Sequence, residues 1–166
     1  MNLKNNKLKF FIDLSIIFLI FFLDRITKIF VINYEKTSYS NDIFSSKFLN
    51  IHLIWNQGIA FGLFSFDQKS FYNFLTLIIF FVIIIVLLWT FKSTGLKKYI
   101  LIMIFAGALG NFFDRIVYGA VPDFIDLHIN NFHWFIFNVA DIFISLGVIF
   151  MILYEFIVNN NKYEKL

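Results

Sequence analysis

Two aspartates stand where a carboxylate is expensive. Asp123 lies in Val121-Pro122-Asp123-Phe124, and Asp141 follows Phe137-Asn138-Val139-Ala140 at the entrance to a long apolar run. A charge at the centre of a membrane helix costs about 2.5–3.5 kcal/mol on insertion scales, so such groups are usually kept for a task. Two carboxylates able to share one proton point to acid–base chemistry on a water molecule. Other chemistries lack their residues. Cys is absent, which excludes disulfides, a thiol nucleophile, thiolate metal sites and a lipid-modified cysteine on this chain. There is no His-Glu-x-x-His zinc motif and no Gly-x-Ser-x-Gly elbow. His52, His128 and His133 therefore read as satisfied or interfacial side chains rather than ligands, and no metal is expected.

Other polar residues accompany the pair. In Gly107-Ala108-Leu109-Gly110-Asn111-Phe112-Phe113-Asp114-Arg115 the small residues allow close helix approach. Asn111, Asp114 and Arg115 share one broad helix face at spacings of three and four. Charges inside spans usually face the bundle interior, which favours a functional reading here, with Asp114 and Arg115 neutralising each other or their neighbours. Asn138 precedes Asp141 by three, on the same face if the helix has begun. Asn56-Gln57-Gly58-Ile59-Ala60-Phe61-Gly62 is either a plain loop turn or a polar turn whose Asn amide holds a peptide backbone. Asp24, Arg25 and Lys28 read as an interfacial group with an i,i+4 Asp24–Lys28 pair that snorkels, or as a cluster that fixes this helix end against headgroups or the site. Asp13 is expected to be structural. Asp126, three residues after Asp123, is expected to be a solvated loop acid.

The elements that must position these groups belong to a membrane protein. The chain has 166 residues, is 60% hydrophobic with 26 Phe, and is only 15% charged. A soluble domain of this length could not hide so much apolar surface. The net charge of +3 reflects loop distribution, and no nucleic-acid-binding pattern accompanies it. Four stretches are long enough, or nearly so, to cross about 30 Å of hydrocarbon: about residues 10–32, 71–91, 99–117 and 135–158. Lys4, Lys7 and Lys9 precede the first span, Lys92, Lys97 and Lys98 separate the second from the third, and Lys162 and Lys165 follow the fourth. The positive-inside rule puts these segments, and with them both termini, in the cytoplasm. Outer loops about 33–70 and 118–134 then carry the polar motifs. The first span runs into Asp24-Arg25-Ile26-Thr27-Lys28 without a small-residue cleavage site, so it reads as a retained helix. Residues 48–55 alternate partly and are rich in strand formers, so a small strand or hairpin is expected in the first outer loop. The expected fold is an all-α membrane protein of one domain, residues 1–166, with four transmembrane helices and a small β-rich cradle in that loop.

Together the motifs resemble the bacterial lipoprotein signal peptidases (signal peptidase II). Asp24-x-x-x-Lys28, Asn56-x-Gly58-x-Ala60-Phe61, Gly107-x-x-Gly110-Asn111-x-x-Asp114-Arg115, Asp123-Phe124 and Phe137-Asn138-x-Ala140-Asp141 are similar to that family's successive signature blocks, in order and over nearly the whole chain. The resemblance implies an intramembrane aspartic endopeptidase of the inner membrane. Such an enzyme removes the signal peptide from diacylglyceryl-modified prolipoproteins, cutting just before the lipidated cysteine. It implies Asp123 and Asp141 as the catalytic dyad, near the outer face. Asn56, Asn111, Arg115 and Asn138 match polar positions around the dyad, and Asp24, Lys28, Gly58, Gly110 and Asp114 match positions with more structural roles. The implied partners are prolipoprotein substrates and membrane lipids, not nucleic acid, with the protein acting as a monomer and needing no metal or organic cofactor. Two departures stand out. Pro122 replaces a common Val and removes one backbone N–H, and Ala106-Gly107 replaces two glycines. The rival reading from the residues alone is a small proton-linked transporter subunit, since intramembrane Asp, Arg and Asn also suit a proton path.

Overall fold

The structure is a computed structural model that describes residues 3–38, 42–58 and 69–163. Ala60, Phe61 and Gly62 of the glycine-spaced motif, the connection at 65–68 and Lys165 lie outside the described residues. In chain order the elements are α1 (Leu3–Thr37), β1 (Asp42–Ser45), β2 (Leu49–Asn56), α2 (Lys69–Lys92), α3 (Gly95–Tyr118), β3 (Val121–Ile129), β4 (Phe132–Phe137) and α4 (Val139–Tyr163).

Among the described residues, three helical segments are long and apolar enough to cross a membrane: Tyr72–Lys92, Gly95–Tyr118 and Val139–Val158. Their outward faces carry exposed Phe, Ile and Leu, among them Phe81, Ile85, Ile152 and Phe156, as expected where lipid replaces water as solvent. α1 is the longest helix at 35 residues, but Asp13, Asp24, Arg25 and Lys28 interrupt its apolar run.

α3 is the central helix and packs against α1, α2 and α4. The core follows it, with Ile20 and Val31 of α1, Ile100, Leu101, Ile102, Phe105 and Ala106 of α3, and Ala140 of α4 all buried. Glycine permits this closeness. A Cβ at Gly107 would stand 2.6 Å from the Ala140 carbonyl oxygen, and one at Gly110 would stand 2.8 Å from Asp24 Oδ2. The small-residue stripe is thus a packing surface, as in other membrane helix pairs.

At one end of the bundle Lys98 pairs with Asp13, and Lys97 reaches Glu155 at 2.5 Å. These bonds bring together the start of α3, the early part of α1 and the late part of α4. Asp13 therefore has the structural role expected of it.

The other end of the bundle carries a four-stranded antiparallel sheet in the order β1-β2-β3-β4. A strand was expected in the first long loop, and β2 lies there. The second loop, about 118–134, where no strand is read from the sequence, forms a hairpin of β3 and β4. The fourth helix consequently begins at Val139 rather than near 135. The cause is local. Phe132–Phe137 reads Phe-His-Trp-Phe-Ile-Phe, aromatic residues that favour a pleated surface. Asn130 adopts φ 53° in the two-residue turn before it, a conformation that Asn tolerates better than most residues. α3 ends on Gly119 at φ 68°, a left-handed cap that turns the chain directly into β3. Pro122 fits this strand. It is buried opposite Trp55 of β2, while β4 pairs with β3 only from Ile125 onward. One flank of β3 is therefore free of strand partners at Pro122, where sheets tolerate proline.

Candidate active site

The junction of α1, α3, β3 and α4 buries an unusual set of polar side chains. Asp24, Arg25, Lys28, Asn111, Asp114, Arg115, Asp123, Asn138 and Asp141 are all buried. They form two connected groups.

The first group is a matched ion cluster. Lys28 Nζ donates to Asp114 Oδ2 at 2.6 Å and to Asn111 Oδ1 at 2.9 Å, and pairs with Asp24 Oδ1 at 2.9 Å. Two ammonium hydrogens are thus donated, to Asp114 and Asn111, and Asp24 adds an ion pair. Arg25 pairs with both acids, reaching Asp24 Oδ2 and Asp114 Oδ2 at 2.7 Å. Its guanidinium also lies 5.0 Å from the Phe113 ring centre and 5.7 Å from that of Phe21, within cation–π range. Asp24 Oδ1 further accepts the Ala140 N–H at 3.0 Å, in the first turn of α4, where the helix dipole favours a negative charge. The Asp24–Lys28 pair does form, but the side chains do not snorkel. They turn inward because Asp114 waits on α3. Of the two expectations for Asp114, neutralisation by neighbours rather than by Arg115 is the one observed, since Arg25 and Lys28 take it.

The second group holds the two aspartates, and asparagines supply its donors. Asn56 Nδ2 donates to Asp123 Oδ2 at 2.8 Å and Asn138 Nδ2 to Asp123 Oδ1 at 2.6 Å. Asn111 Nδ2 donates to Asp141 Oδ1 at 2.7 Å, and the Asn138 backbone N–H to Asp141 Oδ2 at 3.1 Å. Each asparagine is held in orientation by a donor on its own oxygen: Gly58 N–H on Asn56, Lys28 on Asn111 and Asp141 N–H on Asn138. A flipped amide would lose that bond and present an oxygen to a carboxylate. Asn138 and Asp141 also form a reciprocal cap on α4, each side chain bonding the other's backbone N–H. The helix start therefore places both residues, and Asn138 ties them to Asp123 on β3.

Arg115 donates to the Gly58 carbonyl at 2.7 Å and to the Asn111 carbonyl at 3.2 Å, which joins the end of the β2 segment to α3. Burial raises the Asp123 carboxyl to about 6, with repulsion from Asp141 adding to the rise and the Asn56 and Asn138 amides opposing it. Such a group holds or releases a proton near neutrality.

Beside the pair opens an apolar cavity of about 620 Å³. Asp141 reaches it, among Phe135, Phe137, Leu127, Ile142 and Leu146. A buried acid pair at the edge of an apolar cavity can act on a polar bond carried by an apolar ligand.

The structure brings together all ten residues singled out from the sequence: Asp123, Asp141, Asn56, Gly58, Asn111, Asp114, Arg115, Asn138, Asp24 and Lys28. Arg25 belongs with them as well. Its i,i+4 neighbourhood gave no sign of Asp114, which lies 89 residues away. Asp126 departs from expectation. It is only 1% exposed and accepts a bond from His133 at 2.8 Å. An irregularity in the β3–β4 register between Asp126 and His128 accompanies its inward position.

Comparison with known proteins identifies relatives over most of the chain. Residues 16–157 match the family described as signal peptidase (SPase) II. The lipoprotein signal peptidase of Pelagibacter ubique is 50% identical over 161 residues, covering 97% of this chain and 95% of the relative. That of Thermodesulfovibrio yellowstonii is 40% identical over 136 residues, covering 82% and 88%. A solved structure of a bacterial membrane enzyme at 2.3 Å resolution superposes with a TM-score of 0.73 at 31% identity, covering 90% of each chain.

Proposed function

The chain belongs to the signal peptidase II family, and from that premise we propose that it is an aspartic endopeptidase acting on diacylglyceryl-modified prolipoproteins. It removes the signal peptide by cutting just before the lipidated cysteine. The observation that carries the catalytic type is the pair of buried carboxylates, Asp123 and Asp141, bonded to the same asparagine, Asn138.

In this reading one carboxyl of the dyad is ionised and the other protonated, because close carboxylates resist double ionisation. The ionised group takes a proton from water as the water oxygen attacks the scissile carbonyl carbon. The protonated group gives its proton to the carbonyl oxygen. The tetrahedral intermediate then collapses, the C–N bond breaks, and a proton passes to the leaving amine. The dyad titrates as a unit, so neither step is assigned to one residue. Asn56, Asn111 and Asn138 hold the carboxylates, and Arg115 and Gly58 hold the β2 end against α3. The apolar cavity beside Asp141 receives apolar parts of the substrate, which enters laterally from the bilayer.

The membrane arrangement follows from the same reading. α1 is the fourth span, its buried charges neutralised in pairs as membrane interiors require. The lysine-rich end of the bundle faces the cytoplasm with both termini, and the sheet and dyad lie near the outer face of the inner membrane. The enzyme acts as a monomer. The transporter reading is not favoured, because the chain belongs to a peptidase family.

The test is incubation of purified protein in detergent with a diacylglyceryl-modified prolipoprotein, followed by mass analysis of both products. The expected cut falls immediately before the lipidated cysteine. A cut elsewhere, or none by folded protein given lipidated substrate, overturns the proposal.

A further inference from the structure

The β3–β4 hairpin carries a second cluster that the peptidase chemistry does not use. Asp126 and His128 lie on β3, and His133 lies on β4 directly opposite His128 in the register. A carboxylate oxygen of Asp126 and one ring nitrogen from each histidine all lie within 4.8 Å of one another. His133 Nδ1 is 3.0 and 2.8 Å from the two Asp126 oxygens. The two imidazoles stack with ring centres 5.1 Å apart.

Two features need explanation. Asp126 is 1% exposed, and a buried carboxylate needs a cation or a full set of donors. His128 Nδ1 is buried without a hydrogen-bond partner, which leaves an acceptor or donor desolvated at a cost. An ion at the centre of the cluster would give Asp126 its cation and, where it is bound through Nδ1, give His128 its partner.

We propose that Asp126, His128 and His133 bind one divalent transition-metal ion of the zinc class, which ties β3 to β4 at the rim of the apolar cavity. Two imidazoles with one carboxylate select a borderline ion such as Zn²⁺ over Mg²⁺ or Ca²⁺, which prefer all-oxygen shells. Ligand atoms around tetrahedral Zn²⁺, each about 2.0–2.1 Å from the metal, stand roughly 3.3 Å apart. The Asp126–His133 contact, at 2.8 and 3.0 Å, is a hydrogen-bond distance that need lengthen by only a few tenths of an ångström to admit the ion. Rotation of the His133 ring, whose side chain is 54% exposed, closes the remainder and gives the ion a route in. Water fills the fourth position. His128 also lines the apolar cavity, so the ion would fix one wall of it. No residue of the cluster belongs to the Asp123–Asp141 pair, so this proposal and the peptidase reading fail independently.

The experiment uses the full chain in detergent, purified without a histidine tag and stripped with chelator. Co²⁺ serves as the spectroscopic probe. One equivalent is expected to bind with visible absorption bands of a four- or five-coordinate ion, and one equivalent of Zn²⁺ should displace it. His133→Gln keeps a donor for Asp126 but removes a good ligand. Because even outer-shell losses weaken metal sites about tenfold or more, this variant should bind at least about tenfold more weakly. Melting curves taken in chelator establish that the variant is folded, and His128→Gln carries the same test if it is not. The absence of saturable Co²⁺ binding by wild type overturns the proposal. So does binding of undiminished strength in folded His133→Gln or His128→Gln.

Discussion

The ion cluster around Lys28 and the acid pair around Asn138 lie side by side, equally buried, and are built on opposite principles. In the first, Asp24 and Asp114 face Arg25 and Lys28, two anions against two cations in direct contact. In the second, the side-chain donors to Asp123 and Asp141 are amides of Asn56, Asn111 and Asn138. Paired ions cancel each other's charge and hold their elements in contact. Amides stabilise a carboxylate without cancelling its charge, so its proton affinity stays free to respond to its neighbours. The difference separates a group that holds helices together from one that can exchange protons. Asn111 is the hinge between them, with its oxygen on Lys28 and its nitrogen on Asp141.

Substitutions should split along that line. The largest effect on activity is expected at the dyad. Asp123→Asn and Asp141→Asn should each lower cleavage of lipidated prolipoprotein by about 10³-fold or more, measured as initial rates in detergent. The largest effect on stability is expected in the ion cluster. Asp114→Asn leaves Lys28 and Arg25 short of one negative charge, and breaking a buried pair this way costs about 3–5 kcal/mol. A fall of roughly 10 °C in Tm should follow, read by thermal melting of the purified protein.

Asn138→Ala sharpens the comparison, because that residue serves helix and dyad together. Loss of its cap should cost about 1 kcal/mol, and loss of its donor to Asp123 should slow cleavage by roughly 10²-fold. A drop in Tm without a drop in rate would place Asn138 with the structural group.

The smallest perturbation is pH. The Asp123 carboxyl is raised to about 6, partly by the charge on Asp141. Below that value the pair keeps its shared proton, and above it both groups ionise. Cleavage should therefore fall as pH rises through about 6, approaching tenfold per unit, as a kcat/KM profile of the wild type would record. A rate flat from pH 5 to about 8 would mean that no shared proton limits the reaction.

Much of this site was legible in the sequence because helical spacing is local. Asn138 and Asp141, three apart, and Asn111, Asp114 and Arg115, within four, needed only the period of a helix to share a face. What could not be read was long-range or hidden by composition. Arg25 finds Asp114 across 89 residues, and no local rule pairs them. The end of β4, residues 135–137, looks like the start of a membrane helix because aromatic and aliphatic residues serve strands and spans alike. The signal that distinguishes them is the Asn130-Asn131 pair before it, a two-residue turn between apolar runs. Asp126 reads as a solvated loop acid in the sequence because strand register, not sequence spacing, decides which side chains turn inward.

The central claim is that Asp123 is placed for proton transfer and not for holding the fold. It is tested most directly by measuring cleavage and melting on one preparation of Asp123→Asn beside wild type. The account predicts a rate reduced by about 10³-fold or more with a Tm close to that of wild type, since relief of the repulsion from Asp141 offsets the one amide donor, of Asn56 or Asn138, that the substitution leaves unmatched. Normal cleavage, or a rate lost only because the protein has unfolded, would contradict it.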